Sequence, residues 1–195
     1  MNDALSNLVS TLQQWEWVTE EQLLGCTNEE IAALEEQFAV SLPVTYKEFL
    51  TVMGKGAGRF ERDASWKYHA LKHAREEAEH LLADIERIRG EEEEEQDNDE
   101  NADSTDASPK TLKPLVPLKP TDFVFLCGSY NFLYFDTTKG DNPPVQLIEE
   151  SEDEPNTTFP SFTNWLEVVA HYVARNSKIL KDRKAELKAM GIGGD

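Results

Sequence analysis

The spacing of hydrophobic residues predicts helices in the first half of the chain. Apolar positions recur at helical intervals in an opening segment capped near Asp3, in a segment that starts at the capping box of Thr27 and Glu30 and ends near Val40, and after Pro43. From 66 to 89 the apolar spacings are 3, 4, 3, 4 and 3, which predicts one long helix that Gly90 ends. Its predicted seam comprises Leu71, Ala74, Ala78, Leu81, Ile85 and Ile88.

The second half predicts a sheet covered by a helix. Apolar runs at 123–127, 132–136 and 145–148 are separated by turn residues, so we expect antiparallel strands joined by hairpins. A helix opens at the N-cap Ser161, and 178–190 form a weaker, basic helix. The covering helix carries a stripe of Phe162, Trp165, Leu166, Val169 and Val173. The pattern therefore predicts an α+β fold with a mixed, largely antiparallel sheet packed by helices.

The stretch GKGAG at 54–58 invites comparison with a phosphate-binding loop. Such a loop places its glycines after a strand and before a helix, so that free backbone N–H groups point at the anion. Here the glycines follow the Pro43 helix, and Lys55 is not followed by Ser or Thr. Gly54 and Gly56 are instead expected to take positive φ at the helix C-terminus, where the dipole repels phosphate.

The net charge of -19 is concentrated in two short segments. Residues 91–106 hold ten carboxylates and 149–154 hold five more, and without these fifteen the chain has 23 acidic and 19 basic residues. The first segment is too polar to bury apolar area, so 91–110 is expected to be a disordered acidic insertion. The charge disfavours binding to nucleic acid or anionic membranes and favours a basic protein partner, although such runs also serve only to solvate a surface.

No segment resembles a secretion signal or a membrane span, so we expect a soluble cytoplasmic protein. Cys26 and Cys127 have no metal or redox spacing, which favours buried thiols in a reducing compartment.

One face of the predicted long helix carries His69, His73, Glu76 and His80. Residues 77–80 also match the Glu-x-x-His pattern of di-iron bundles, but that site needs a second copy on another helix. The sequence has no second copy, and His171 lies alone on a different helix. A solvated polar face is therefore favoured, with no metal and no cofactor expected.

The segments IAALEEQFAVSLPVTYKEFLTVMGKG, YNFLYFDTT and TFPSFTNWLEVV together resemble the SUKH superfamily. The similarity covers 27–58 and 121–175, and 60–120 departs from it as an insertion. It implies a single SUKH-like domain over 1–176, followed at 177–195 by a basic helix and tail. The matching residues, including Leu42, Tyr46, Phe49, Phe162 and Trp165, are expected to pack in the core rather than form a site.

The resemblance implies a protein-binding function without catalysis. Bacterial members resemble immunity proteins that neutralise toxins, often nucleases, and fungal members resemble regulatory scaffolds of cell-wall assembly. We expect an immunity protein that occludes the active site of a basic toxin, the alternative being a scaffold that binds a partner without inhibiting it. An enzyme is the weakest alternative, because no catalytic grouping can be assembled. The predicted partner-binding rim comprises Asp136, Asp141, Glu149, Glu150, Glu152, Asp153 and Glu154.

Overall fold

The computed structural model describes residues 1–62, 64–97, 117–149 and 157–189. The helices are α1 (Asp3–Gln14), α2 (Asn28–Phe38), α3 (Val44–Met53), α4 (Tyr68–Asp97) and α5 (Phe162–Ala189). The strands are β1 (Leu23–Leu24), β2 (Gly56–Ala57), β3 (Asp122–Cys127), β4 (Asn131–Asp136), β5 (Val145–Glu149) and β6 (Thr157–Phe159). The predicted α+β class is confirmed.

The strands form two antiparallel sheets. The larger has the order β3-β4-β5-β6, so each strand pairs with its neighbour in sequence, and the smaller pairs β1 with β2. The three strands predicted from the sequence are confirmed to within one residue. The others were not predicted, since strands of two or three residues are too short to show alternation.

Both faces of the larger sheet are covered, and for this reason all six residues of β3 are buried. The pairing with β4 shifts between Val124 and Leu126, which marks a bulge at Phe125. The bulge turns Phe125 and Leu126 toward the same core, which α1, α2, α3 and α5 complete. Val124 and Cys127 face a second core under α4.

Tyr46 of α3 lies at the centre of the first core. Its ring centroid is 5.2 to 5.8 Å from those of Phe123, Phe125, Phe135 and Phe162. The side chain is fully buried. The expectation that the family-motif aromatics pack in the core is therefore confirmed for Tyr46, and Leu42, Phe49, Phe162 and Trp165 are buried with it.

Helix α4 covers the second face of the sheet, with its seam one position different from the prediction. Leu82 is buried where the sequence favoured Leu81. The predicted end at Gly90 is wrong, because the helix continues to Asp97. A single glycine costs only about 1 kcal/mol in a helix, and strong helix formers surround this one. Residues 91–97 of the predicted disordered insertion are thus helical, and 98–110 lie outside the described residues.

Helix α5 is one helix rather than the two that the sequence predicted. The Ser161 cap is confirmed, since its Oγ accepts the Asn164 amide at 3.1 Å. The predicted domain boundary at 176 to 177 falls inside α5, where no Gly or Pro interrupts the helix. Ser177 is buried and its Oγ accepts the Trp17 Nε1–H at 2.9 Å, which joins this part of α5 to the segment after α1.

The glycines after α3 do not adopt the predicted conformation. Gly54 has φ of -62°, and in this loop it is Gly58 that has positive φ, at 57°. Gly54 is needed for a different reason, because a Cβ there would lie 2.7 Å from both the Cys26 Sγ and the Leu50 carbonyl oxygen. Close packing of α3 on the β1 segment therefore selects glycine at this position.

Arg75 of α4 holds the segment that leads into β3. Its Nη1 donates to the carbonyl oxygens of Lys119 at 3.1 Å and Asp122 at 2.9 Å, and its Nη2 donates to that of Leu118 at 3.2 Å. Its Nε donates to Glu79 Oε1 at 2.8 Å. One guanidinium thus fixes where the chain rejoins the sheet.

Candidate protein-binding surface

The described residues of the predicted acidic rim lie at two different ends of the sheet. Glu149 pairs with Asn131 at the start of β4, whereas Asp136 is the last residue of that strand. The two ends lie about 17 Å apart at roughly 3.4 Å per residue. Glu150, Glu152, Asp153 and Glu154 lie outside the described residues. The structure therefore separates Asp136 from Glu149, and partner binding by the rim remains a prediction.

The sheet end that carries Asp136 has mixed charge. Asp136 Oδ1 accepts the Thr138 amide at 3.0 Å and the Thr138 hydroxyl at 2.7 Å. These hydrogen bonds, with a smaller contribution from Lys139, lower the pKa of Asp136. Lys119 and Lys139 line the same cavity of about 240 Å³. The Asp136 carboxylate is thus already engaged in a turn and flanked by cations.

Asp141 contributes to the fold through its backbone. Its carbonyl oxygen accepts the Thr45 amide at 3.1 Å and the Thr45 hydroxyl at 2.8 Å, which ties the loop before β5 to the start of α3. The residue itself is exposed, so its carboxylate is accessible.

The opposite end of the sheet carries an acidic groove of about 390 Å³ between α4 and the β3–β4 turn. Its carboxylates are Glu77 and Asp84. Among the described lining residues there is no Lys or Arg, but Arg87 Nη2 lies 3.6 Å from Asp84 Oδ1. Glu149 lies at this end of the sheet, because its partner Asn131 closes the same turn by accepting the Gly128 amide at 2.8 Å. The acidic groove is lined by Ser65, Glu77, His80, Leu81, Asp84, Cys127, Gly128 and Ser129.

The helical periodicity of α4 determines which of its residues form the charged wall of the acidic groove. Ala78, Leu82 and Ile85 are buried against the sheet, so Glu77, His80 and Asp84 emerge on the adjoining edge of the helix. The opposite wall is fixed by two hydrogen bonds between Ser65 and Cys127, with N to O distances of 2.7 and 3.0 Å. Tyr130 stands beside it in the turn and is 70% exposed.

The cysteine of the acidic groove is not an activated nucleophile. Burial and, to a smaller extent, the Glu77 carboxylate raise the pKa of the Cys127 thiol to about 11. Burial and Glu30 raise the pKa of Cys26 to about 11 as well, against the opposing effect of Lys55. Both thiols are therefore protonated at neutral pH, and both are buried as expected.

In the glycine-rich loop after α3, the backbone amide and the side-chain ammonium of Lys55 both have partners within the protein. The Lys55 amide donates to the Leu24 carbonyl oxygen at 2.7 Å, and the Lys55 Nζ lies 3.0 Å from Glu30 Oε2. The cation that a phosphate would require is thus paired with the capping glutamate of α2.

The histidines of α4 lie on a solvent-exposed face. His69, His73 and His80 are exposed, and the nearest ion pair joins His73 Nδ1 to Glu76 Oε2 at 3.7 Å. Across the described ranges, no three His, Cys, Asp or Glu side chains are arranged to hold a metal ion. None of the helices in the described part of the chain is long and apolar enough to cross a bilayer.

These features define an α+β domain with an antiparallel sheet between two helical layers and an acidic groove at one sheet end. The sequence model of the SMI1 / KNR4 family (SUKH-1) matches residues 25–168, and the chain belongs to this family. The resemblance drawn from the sequence is thereby confirmed. Members are generally non-catalytic, and membership is consistent with an immunity or regulatory role through protein binding. Among curated proteins, none matches the sequence.

Sequence reasoning did not identify Glu77 and Asp84 as a site. Their spacing placed them on the polar side of the predicted helix, but nothing in the sequence shows which turn that helix contacts. The sequence feature that could have indicated the site is the spacing of Glu77, His80 and Asp84 at i, i+3 and i+7, which places them along one edge of a helix.

Proposed function

We propose that the chain is an immunity protein that binds a basic, nuclease-type toxin domain and covers its active site. Family membership supports this function class. A nuclease must present cations to its phosphate substrate, so a protein that offers carboxylates in a fixed geometry competes for the same cations.

The observation that carries the proposal is the acidic groove. Glu77 and Asp84 stand on one helix edge, and no Lys or Arg is among the described residues that line the groove, although Arg87 Nη2 lies 3.6 Å from Asp84 Oδ1 in an exposed ion pair. The cavity admits a lysine or arginine side chain of the toxin. Tyr130 lies beside it and offers an exposed aromatic ring, which is a residue type enriched among the energetically dominant contacts of interfaces.

In this proposal, the residues of the acidic groove and of the predicted rim fall into two groups, according to whether they contact the toxin. Glu149, which lies at the same sheet end as the groove, is assigned to the toxin contact. Asp136 at the other sheet end is assigned no toxin contact, since cations flank it and its carboxylate accepts hydrogen bonds from Thr138, whereas the exposed Asp141 stays a predicted contact.

The test uses a toxin isolated as the binding partner of the full chain and its activity in cells. The double variant Glu77→Lys with Asp84→Lys is expected to abolish protection and to weaken binding at least 100-fold. The matched control is Glu20→Lys with Glu21→Lys, which changes the net charge equally at two exposed residues away from the groove. The control is expected to protect fully.

Two results would contradict the proposal. Full protection by the groove variant would remove the groove from the interface, and an active toxin in the saturated complex would favour the scaffold function. Circular dichroism and thermal unfolding of both variants establish that any lost protection reflects the surface and not the fold.

A further inference from the structure

A second groove, of about 500 Å³, lies between the end of α1 and the C-terminal half of α5. We name it the basic groove. It belongs to the layer of α1 and α5, on the sheet face opposite α4 and the acidic groove. Its lining residues are Gln14, Trp15, Glu16, Trp17, Arg59, Ser177, Leu180, Lys181 and Lys184.

The basic groove is built on fixed elements. Trp17 donates its indole N–H to Ser177 Oγ at 2.9 Å, and its carbonyl oxygen accepts the Arg59 amide at 2.9 Å. Glu16 reverses the chain after α1 with φ of 58°. Three separate parts of the chain are therefore held together at this point, so the cations on its walls stand on a rigid support.

The charge of the basic groove is opposite to that of the chain. Residues 175–188 contain six Lys or Arg and two acidic residues, in a chain of net charge -19. Within the described ranges, no ion pair or side-chain hydrogen bond engages the charged groups of Arg59, Lys181 or Lys184. Three cations thus line one cavity in which Glu16 is the single carboxylate among the described lining residues.

Apolar surface accompanies these cations. Leu180 is 64% exposed although it lines the cavity, and Trp15 and Trp17 are half-buried beside it. The family match spans 25–168, so among the lining residues Arg59 alone falls inside it. The basic groove is therefore a feature added to the matched domain by the segments that flank it.

We propose that the basic groove binds an acidic peptide segment of a second protein. Carboxylates of that segment pair with Arg59, Lys181 and Lys184, and an aromatic or aliphatic side chain packs on Leu180 and the tryptophans. Nucleic acid is disfavoured, because its affinity depends on many phosphate contacts and the rest of the chain repels them. This binding goes beyond the proposed function and does not depend on it, since it uses the opposite face of the sheet.

The experiment selects binders from a phage-displayed library of random twelve-residue peptides on the full chain. We expect enrichment of peptides that combine Asp or Glu with aromatic or aliphatic residues. Selected peptides, made synthetically, should bind at least tenfold more weakly to Lys181→Glu with Lys184→Glu. They should lose less than threefold with Lys178→Glu and Arg183→Glu, which reverse equal charge on the same helix outside the groove.

Several results would overturn the proposal. These are a selection without acidic enrichment, equal losses in both double variants, or tighter binding of a twenty-nucleotide single-stranded DNA or of phosphatidylserine vesicles than of the selected peptides. The tryptophan fluorescence of the chain, to which Trp66 and Trp165 also contribute, provides an independent measurement, because a peptide seated in the groove changes the surroundings of Trp15 and Trp17. An unchanged emission spectrum at saturating peptide would also contradict the assignment.

Discussion

At the residue scale, the ring of Tyr46 packs at the centre of the core, whereas its hydroxyl makes no hydrogen bond that would stabilise the fold. Its ring contacts five phenylalanines, yet its fully buried hydroxyl has no hydrogen-bond partner among the described residues. Burial raises the pKa of this phenol well above its ordinary value, so the group stays neutral. An unsatisfied buried polar group costs roughly 1–3 kcal/mol.

Tyr46→Phe is therefore expected to raise the free energy of unfolding by about 1 kcal/mol. Urea unfolding followed by circular dichroism measures this, with Tyr130→Phe as the control at an exposed position. Lower stability of Tyr46→Phe would mean that the hydroxyl makes a favourable contact.

Individual residues also show which features could be predicted from the sequence and which could not. The capping box of Thr27 and Glu30 and the cap Ser161 were predicted, because each depends on neighbours in sequence. The role of Gly54 was not predicted, because the atoms that leave no room for a Cβ there include the Sγ of Cys26, which is distant in sequence. Likewise, the sequence did not show that the Asp136 carboxylate accepts hydrogen bonds from Thr138, and whether Asp136 also binds a partner stays a prediction.

At the element scale, the capping box of α2 makes stability depend on pH. The Thr27 amide, followed by the Lys55 side chain, lowers the pKa of Glu30 below its ordinary 4.5. A lowered carboxylate pKa contributes stability that is present above the unfolded value and is lost as pH falls through the folded value. The contribution of Glu30 is thus complete at neutral pH and is lost progressively as the pH falls below about 4.5.

We expect Glu30→Gln to be less stable than the unmodified chain at pH 7, with the difference shrinking as the pH falls below 4.5. Urea midpoints at pH 7, 5, 4 and 3 test this, and Glu36→Gln on the exposed side of the same helix is the control. A difference that stays constant across this range would exclude the ionised cap as its source.

Long elements were predicted well and their ends were not. The apolar period located α4 and α5, but Gly90 and residues 176 to 177 were wrongly taken as ends. A helix end is decided by competition between small local costs and packing, and Ser177 is buried by contact with Trp17 from the other end of the chain. The acidic groove was missed for the same reason, because it forms where two distant elements meet.

Arg75 connects elements that the sequence does not relate. Because its guanidinium donates to three backbone carbonyls, Arg75→Ala is expected to lower the free energy of unfolding by about 1–3 kcal/mol. It should also accelerate amide exchange in β3. Lys72→Ala, exposed on the same helix, is the control, and equal effects of the two substitutions would contradict the assigned role.

At the scale of the whole molecule, charge is divided between two faces. The acidic groove lies on the α4 side of the sheet and the basic groove on the α5 side. The net charge of -19 therefore conceals an uneven distribution in which partners of opposite sign are directed to different surfaces.

Binding of the proposed basic partner should weaken steeply with salt. The acidic groove is open to solvent, and exposed charges are screened within about 10 Å at 0.1 M salt. Titration calorimetry at 20, 50 and 150 mM salt is expected to give a falling association constant. The slope should be smaller for Glu77→Lys with Asp84→Lys, and an affinity independent of salt would rule out an electrostatic interface.

The hydrogen bonds of Arg75 have a further consequence for how this chain can vary. They hold residues 118–122 against the first half of α4. The chain therefore contacts this helix again just before β3 begins. Because Arg75 fixes residues 118–122 independently of the residues before them, insertions or deletions between 98 and 116 are expected to leave these contacts and the sheet unchanged. This interval is where the chain should tolerate a fused reporter or a shortened linker with the core left intact.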